Sequence, residues 1–120
     1  MREDVIHAVE AYLNGLGAKD ISAAPFHHDI EFEGPLGPPI KGAAALREAI
    51  TGFFPAIKGI NIVQHIVDGE WCATVFNFGT MFGTIQLIDC FHVVDGQIMS
   101  LRAYYDPSPI IEGMKRAAAS

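Results

Sequence analysis

Asp89 is the residue whose sequence surroundings suggest chemistry most directly. It lies in GTIQLIDCFHVVDGQI, residues 83–98, where a strand would point every second side chain to one face. Apart from Asp89, that face carries large apolar side chains, namely Ile85, Leu87, Phe91 and Val93. Because ionisation is disfavoured there, one interpretation is a neutral carboxylic acid that donates a hydrogen bond to a ligand oxygen. The alternative is a structural aspartate that is incompletely buried or accepts hydrogen bonds from a loop.

Tyr12 is the second candidate, because it shares the apolar stripe of a predicted N-terminal helix with Val5, Val9 and Leu16. A tyrosine in this position is usually a core residue whose hydroxyl reaches a backbone carbonyl. If the helix closes the concave side of a sheet, the Tyr12 hydroxyl and the Asp89 carboxyl can converge in one pocket. Two protic donors in an apolar pocket are suited to stabilising an oxyanion or an enolate.

The histidines do not show the spacing of a metal site. His27 and His28 precede a predicted strand, His65 lies inside another, and His92 has the opposite parity to Asp89. Two histidines four residues apart on one helix, a typical zinc spacing, are not found. The sequence also lacks a phosphate-binding loop, a dinucleotide fingerprint and a nucleophile elbow, so we expect no metal and no cofactor.

The composition excludes several classes of protein. A chain of 120 residues, 50% hydrophobic and 18% charged, indicates one globular domain, residues 1–120, with a cavity or a subunit interface that takes up apolar surface. With 8 basic against 14 acidic residues, a nucleic-acid or anionic-membrane partner is not expected. Cys72 and Cys90 lie in apolar runs and are expected to be free thiols. Without a long apolar segment, a cytoplasmic location is expected.

The N-terminal part of the chain must supply the helix that carries Tyr12. Residues 2–16 place apolar side chains at spacings of three and four with acidic residues in the first turn, which predicts an amphipathic helix that ends at Gly15 and Gly17. A second, short helical piece is predicted after Asp20, which is a suitable N-cap, and before Pro25.

The next stretch alternates between strand and helix patterns. DIEFEG, residues 29–34, predicts a short strand, and GPLGPPIKG, residues 34–42, predicts a loop rich in glycine and proline. From Ala43 to about Phe54 the alanines and spaced apolar residues predict a further helix, which ends at Pro55.

The second half of the chain predicts the sheet that carries Asp89. Four β-rich runs between residues 59 and 106 are joined by Asp-Gly or other glycine-containing turns, of which VDGEW and VDGQI are strong hairpin signals. Helices followed by an antiparallel meander predict an α+β domain in which helices cover one face of a curved sheet. The other face would carry Ile88, Cys90, His92 and Val94, which is apolar enough to predict a homodimer.

Three segments resemble one known family. In YLNGLGAKD, Tyr12 precedes Asp20 as the oxyanion-hole tyrosine of ketosteroid isomerases precedes a helix-capping aspartate. IDCFHVVDGQIMSLRAYYD resembles the isomerase segment in which Ile-Asp-x-Phe leads through a turn to Ser-x-Arg-Ala, and GPLGPPIKGAAALRE resembles the loop and helix after the first strand. The chain is therefore similar to the NTF2-like superfamily, and within it to ketosteroid isomerases and SnoaL-like polyketide cyclases.

The resemblance implies a cone-shaped NTF2-like (cystatin-like) fold, with N-terminal helices on a strongly curved, mostly antiparallel sheet. It implies that Tyr12 and a protonated Asp89 form an oxyanion hole. Together with strand alternation it implies a substrate-binding wall formed by Phe76, Phe78, Leu87, Phe91, Leu101, Ala103 and Tyr105. The family's general base stands immediately before the proline of the loop, where this sequence has Gly34.

Two classes of function remain open at the level of sequence. In the first, the protein is an isomerase or cyclase that stabilises an enolate, with His27, His28 or Glu33 as a displaced base. In the second, it binds a small hydrophobic carbonyl, enol or phenol without turnover. A third titratable group within hydrogen-bond reach of a ligand carbon would favour catalysis, whereas a lone donor pair would favour binding. The superfamily contains enzymes and non-catalytic domains, so the fold does not decide between them.

Overall fold

The first half of the chain forms two helices and a β-hairpin in the computed structural model, which describes residues 2–119. Helix α1 spans Arg2–Ala18, strand β1 Phe26–Gly34, strand β2 Gly37–Lys41 and helix α2 Ala43–Phe53. A single 3₁₀ turn at Phe54–Ala56 follows, as Pro55 interrupts the helix close to the predicted end.

The second half forms the long strands predicted from the hairpin signals. Their bounds are β3 Ile57–Asp68, β4 Trp71–Thr80, β5 Gly83–Val94 and β6 Gln97–Tyr104, and helix α3 follows at Ser108–Ala119. All six described strands form one curved, unclosed sheet in the order β2-β1-β6-β5-β4-β3. Neighbouring strands are antiparallel except for β1 and β6, which are parallel. The predicted α+β fold class is therefore confirmed.

Helix α1 does not end at Gly15 or Gly17 as predicted but continues to Ala18. The chain then reverses direction at Lys19, which has a φ of 61°. The Lys19 N–H donates to the Leu16 carbonyl at 3.2 Å and the Asp20 N–H to the Gly15 carbonyl at 2.9 Å, which together satisfy two terminal carbonyls. A Cβ at Gly15 would lie 2.6 Å from the Asp20 carbonyl oxygen, so this glycine permits the close return of the chain and does not break the helix.

The short helix predicted after Asp20 does not form. Asp20 Oδ1 accepts hydrogen bonds from the Ser22 N–H at 3.0 Å and the Ser22 hydroxyl at 2.7 Å, which fixes a turn at that point. Arg47 of α2 donates to the carbonyls of Ile21 and Ala24, which ties this turn to α2.

The predicted loop at residues 34–42 contains strand β2. Its register pairs Glu31 with Lys41 and Phe32 with Ile40. Pro38 and Pro39 are compatible with this strand because β2 lies at the edge of the sheet, where a missing N–H need not break a ladder. The hairpin matters for function, since it forms one wall of the cavity described below.

Helix α1 lies on the concave face of the sheet. Its stripe residues Val9 and Leu13 are fully buried, together with Phe76 of β4, Phe91 of β5 and Leu101 of β6. Burial of such side chains contributes about 1.5–3 kcal/mol each. This layer holds α1 at a fixed distance from the sheet. Among residues 2–119 we find no helix with the length and apolar character needed to cross a membrane.

Candidate functional site

A cavity of about 500 Å³ lies between the sheet, α1, α2 and the β1–β2 hairpin. Most of its lining is apolar. From α1 and the sheet come Tyr12, Leu16, Phe32, Gly34, Phe76, Phe78, Leu87, Asp89 and Ala103, and Tyr105 and Ile110 follow β6. From the hairpin and α2 come Leu36, Gly37, Pro38, Pro39, Ile40, Leu46, Ala49, Ile50 and Phe53.

Asp89 is the polar group that the sheet contributes to this lining. The alternation of β5 places it on the concave face between Leu87 and Phe91, and only 3% of its surface is exposed. Burial alone raises the pKa of the carboxyl to about 8, because an ionised carboxylate would lose its hydration without gaining a partner. At pH 7 the group is therefore mostly a neutral acid that can donate a hydrogen bond.

Tyr12 enters the cavity from α1. Its ring lies against Phe26, with centroids 5.5 Å apart, and edge-on to Phe91 at 5.9 Å, and these contacts fix its orientation. Burial, and secondly the charge of Asp89, raise the pKa of Tyr12 well above its usual value, so the hydroxyl is a donor. Among the hydrogen bonds of residues 2–119 none joins Tyr12 to Asp89, and both side chains line the cavity.

Tyr105 is the third protic group of the cavity lining. It follows the end of β6 and is half-buried. Burial first, and the charge of Asp89 second, raise the pKa of Tyr105 to about 12. It can donate a hydrogen bond, but it cannot act as a base near neutral pH.

The expected apolar wall is only partly in contact with the cavity. Phe76, Phe78, Leu87 and Ala103 line it, as the alternation of their strands predicts. Phe91 and Leu101, expected in the same wall, have no exposed surface and lie in the core outside the lining. Phe91 packs against the ring of Tyr12 on α1.

None of the three residues considered as a displaced base lines the cavity. His27 is partly exposed, and His28 and Glu33 are exposed on β1. Glu33 lies 3.9 Å from the Arg102 guanidinium, so strand alternation has turned it to the outer side of the sheet. Among the described residues the titratable groups of the lining are Tyr12, Asp89 and Tyr105. Gly34 lies in the lining, at the position that the family resemblance gives to the base.

One cluster of metal-ligating side chains lies elsewhere on the described surface. Ligand atoms of His27, His28 and Asp29 all lie within 4.8 Å of one another. His28 and Asp29 are strongly exposed, at 80% and 77%, and form an ion pair at 3.1 Å. The cluster is outside the cavity lining and adds nothing to its chemistry.

Sequence reasoning missed the half of the cavity contributed by the hairpin and α2. Leu36 and the two prolines belong to the segment predicted as a loop, and Leu46, Ile50 and Phe53 belong to a predicted helix to which no role in a site was assigned. The signal was present in α2, whose apolar residues recur at helical spacing, although only Leu46 is fully buried among them.

Comparison with known proteins gives one family match. The model of the SnoaL-like domain matches residues 9–101. No curated protein sequence is significantly similar to the chain.

Solved structures with the same fold are numerous. A protein from Kribbella flavida DSM 17836 is 20% identical with a TM-score of 0.85, over 95% of this chain and 96% of that chain. A candidate ketosteroid isomerase from the same organism is 19% identical with a TM-score of 0.76, over 87% and 78%. An LEH-like epoxide hydrolase of M. tuberculosis is 23% identical with a TM-score of 0.77, over 98% and 93%. At these identities the likeness establishes the fold.

Proposed function

This chain belongs to the SnoaL-like domain family, and from that premise we propose that its cavity binds a small hydrophobic molecule through a carbonyl, enol or phenol oxygen. Tyr12 and Asp89 donate hydrogen bonds to that oxygen. The surrounding apolar wall, with Phe76, Phe78 and Leu87, contacts the rest of the ligand. A volume of about 500 Å³ is typical of sites for small organic molecules.

The observation that supports this proposal is the state of Asp89. A carboxyl with a pKa of about 8, 3% exposed and lining an apolar cavity, is a neutral acid that can donate a hydrogen bond to a ligand oxygen. A charged ligand would have to give up its hydration in this cavity, whereas a neutral oxygen acceptor would gain two hydrogen bonds.

If the protein is an enzyme, the same donors would stabilise an enolate during isomerisation or cyclisation. This reaction also needs a group that removes a proton from carbon. The second candidate, a binding protein without turnover, is favoured by the titratable side chains of the described lining, since Tyr12 and Tyr105 both have raised pKa values and Asp89 is mostly protonated at pH 7.

The test is equilibrium binding of 2-naphthol and 2-acetylnaphthalene, a phenol and a ketone of similar shape. We expect Asp89→Leu and Tyr12→Phe each to weaken binding about 2- to 12-fold, as loss of one neutral hydrogen bond of about 0.5–1.5 kcal/mol predicts. Asp89→Asn keeps a donor and should bind nearly as well as the parent protein. Tyr104→Phe is the matched control, because Tyr104 is 56% exposed and outside the cavity lining.

Equal affinity of Asp89→Leu and the parent protein for both probes would refute the donor role. Binding of the ketone is also measured as a function of pH. The ketone has no ionisable group, so a change in its affinity with pH comes from the protein. Its affinity for the parent should fall as pH rises through about 8, when Asp89 loses its proton, and should stay constant for Asp89→Asn.

We also propose self-association through the outer face of the sheet. Ile66, Trp71, Ile88 and Tyr104 are all 42–56% exposed on this face. The register of β3, β4, β5 and β6 brings them to the side away from the cavity. The cytoplasmic location stays a prediction from the sequence.

A further inference from the structure

A hydrogen-bonded row of side chains leads from the protein surface toward Asp89. On strand β3, His65 Nε2 lies 2.8 Å from a carboxylate oxygen of Glu10 on α1, and His65 Nδ1 lies 2.8 Å from the Thr74 hydroxyl on β4. The side chain of Glu10 is 44% exposed and that of His65 is 13% exposed, whereas Thr74 has no exposed surface. The row therefore begins in solvent and ends in the interior.

Thr74 is the residue that brings this row to the cavity. It is paired directly with His65 on one side and directly with Asp89 on the other, so all three side chains point to the concave face. Side chains at directly opposite positions have Cβ atoms about 4.5–5.5 Å apart, a distance that rotation of the Asp89 carboxyl can span. The described residues form no Thr74–Asp89 hydrogen bond in the present rotamers.

The hydrogen positions of the row follow from its end groups. A Glu10 carboxylate only accepts, so His65 Nε2 must donate to it. In a neutral imidazole Nδ1 is then the acceptor, and the Thr74 hydroxyl donates to it. The lone pairs of the Thr74 oxygen are left to accept, from the Cys72 thiol at 3.4 Å and from a neutral Asp89.

A carboxylate–imidazole–hydroxyl row is also the arrangement of a hydrolytic triad, but Thr74 cannot act as a nucleophile here. Its hydroxyl has no exposed surface and it is not part of the cavity lining. What the row can do without contact to a ligand is move a proton.

We propose that Thr74, His65 and Glu10 form a proton path between Asp89 in the cavity and the solvent on the α1 side of the sheet. As the proton of Asp89 moves to the Thr74 oxygen, the hydroxyl proton of Thr74 moves to His65 Nδ1, and the Nε2 proton of His65 can pass to Glu10. Only O–H and N–H bonds form and break, and Asp89 ends as a carboxylate. After the transfer, the hydroxyl proton of Thr74 points toward the Asp89 carboxylate.

The path deepens the proposed function and rests on it in one respect, since Asp89 must be the acid that faces the ligand. A ligand that fills an apolar cavity also displaces the water through which Asp89 would otherwise exchange its proton. A path through these side chains would let Asp89 give or take a proton while the cavity is occupied.

Several other groups titrate near the row and must be separated from it. Tyr12 and Tyr105 face Asp89, and both have raised pKa values. Burial raises the pKa of the Cys72 thiol, which lies 3.9 Å from His65 Nδ1. Glu10 is the acidic group that α1 presents to His65.

The test is nitrogen NMR of the protein labelled with ¹⁵N-histidine, without ligand, between pH 6 and 10. Once Asp89 is ionised, its carboxylate competes with His65 Nδ1 for the Thr74 hydroxyl, so the hydrogen bond to Nδ1 weakens. The nitrogen shift of Nδ1 should therefore show a step at the Asp89 midpoint, about 8. The step should be present in the parent and in Thr74→Ser, and absent in Asp89→Asn and Thr74→Val.

Thr80→Val is the matched control, because it removes another buried threonine hydroxyl, one that donates to Gly83 at 2.7 Å outside the row. Thr80→Val should therefore keep the step in the nitrogen shift of His65 Nδ1. A step that persists in Asp89→Asn, or that the parent lacks, would overturn the path. Asp89→Asn changes no member of the row, so this comparison holds even if Thr74→Val folds poorly. The proposed function is judged separately, by probe binding to Asp89→Leu.

Discussion

Tyr12 and Asp89 reach the same cavity from opposite layers, Tyr12 from helix α1 and Asp89 from strand β5. Each is at most 4% exposed. Burial raises the pKa of both groups, and the charge of Asp89 raises that of Tyr12 further. Because two ionised groups would be still less favourable than one, the pair is held in its fully protonated form at neutral pH. A ligand oxygen in the cavity would therefore meet two donors.

The buried acid should give the protein a stability that decreases with pH. The pKa of Asp89 is about 8 in the folded state, against 3.8 for an ordinary aspartate. The folded state thus binds more protons than the unfolded state between these values, and its stability falls as pH rises through them. We expect the free energy of unfolding of the parent, relative to Asp89→Asn, to fall by about 1.4 kcal/mol per pH unit and to level off above about pH 8.

Urea unfolding of both proteins at intervals from pH 5 to 9 measures this difference. Other titrating groups are common to the two proteins and cancel in the comparison. A difference that does not vary with pH would show that Asp89 is not a buried neutral acid.

The outer face of the sheet should hold two copies of the chain together. Trp71 stacks on His92 with ring centroids 4.2 Å apart, so the apolar surface on this face is already ordered. We expect a symmetric dimer that buries about 1,200–2,000 Å² in total. Light scattering at micromolar concentration should give twice the mass of the chain for the parent.

Ile88→Lys should convert that dimer to a monomer, because Ile88 lies between Val75 and Tyr104 on the same face. Met81→Lys is the control, since Met81 is also exposed, at 56% against 42% for Ile88, but lies in the β4–β5 turn. A monomeric parent, or a dimeric Ile88→Lys, would contradict the proposed interface.

The sheet and the face of Asp89 were predictable because both depend on local signals. Hairpin turns and alternation set the strands β3–β6, and Asp89 is on the apolar face that alternation gives. The helix predicted after Asp20 was wrong: Asp20 accepts hydrogen bonds from Ser22 in a turn, and Arg47, distant in sequence, binds carbonyls of the same segment. Strand β2 was missed because prolines usually exclude a strand, and only its position at the sheet edge permits one.

The composition of the cavity wall was predictable only in part, because it too depends on contacts between residues far apart in the chain. Alternation identifies the face of the sheet to which Leu101 and Ala103 point, but it does not tell how far α1 covers that face. Leu101 has no exposed surface, whereas Ala103 lines the cavity. Likewise, the row from Glu10 to Thr74 joins residues far apart in the chain through strand register, which no local pattern specifies.

Helix α3 depends on a glycine at its contact with the β4–β5 turn. A Cβ at Gly113 would lie 2.3 Å from Phe82 Cδ1 and 3.0 Å from its Cβ, too close for the ring alone to move aside. We expect Gly113→Ala to lower the free energy of unfolding by about 1–3 kcal/mol.

Gly52→Ala on α2 is the control, because no atom lies within 4 Å of the position that its Cβ would take. It should be neutral or stabilise by up to about 1 kcal/mol. Equal effects in thermal or urea unfolding would refute this contact.

The most specific prediction concerns the position where the cavity lacks a base. Gly34 lines the cavity, and its backbone is not in the left-handed region that only glycine favours. A Cβ there would lie 3.2 Å from Phe32 Cζ and 3.7 Å from Ala103 Cβ, so a small shift of the Phe32 ring would admit a side chain. Both neighbours line the cavity, and a carboxylate at this position would therefore stand at its wall.

We expect the parent protein to show little isomerisation of a β,γ-unsaturated 3-oxo steroid, because stabilising an enolate has no effect on rate when nothing removes the α-proton. Gly34→Asp should raise the rate by up to about 10² to 10⁴, the usual contribution of a general base. Formation of the conjugated enone, followed by its ultraviolet absorbance, measures the reaction.

Gly52→Asp adds the same charge outside the cavity and should gain no isomerase activity. Adding Tyr12→Phe to Gly34→Asp should remove part of the gain, because the enolate loses a donor. High activity of the parent would show that a base is already present. A folded Gly34→Asp that binds the steroid without any gain would show that Tyr12 and Asp89 do not face the reacting carbonyl.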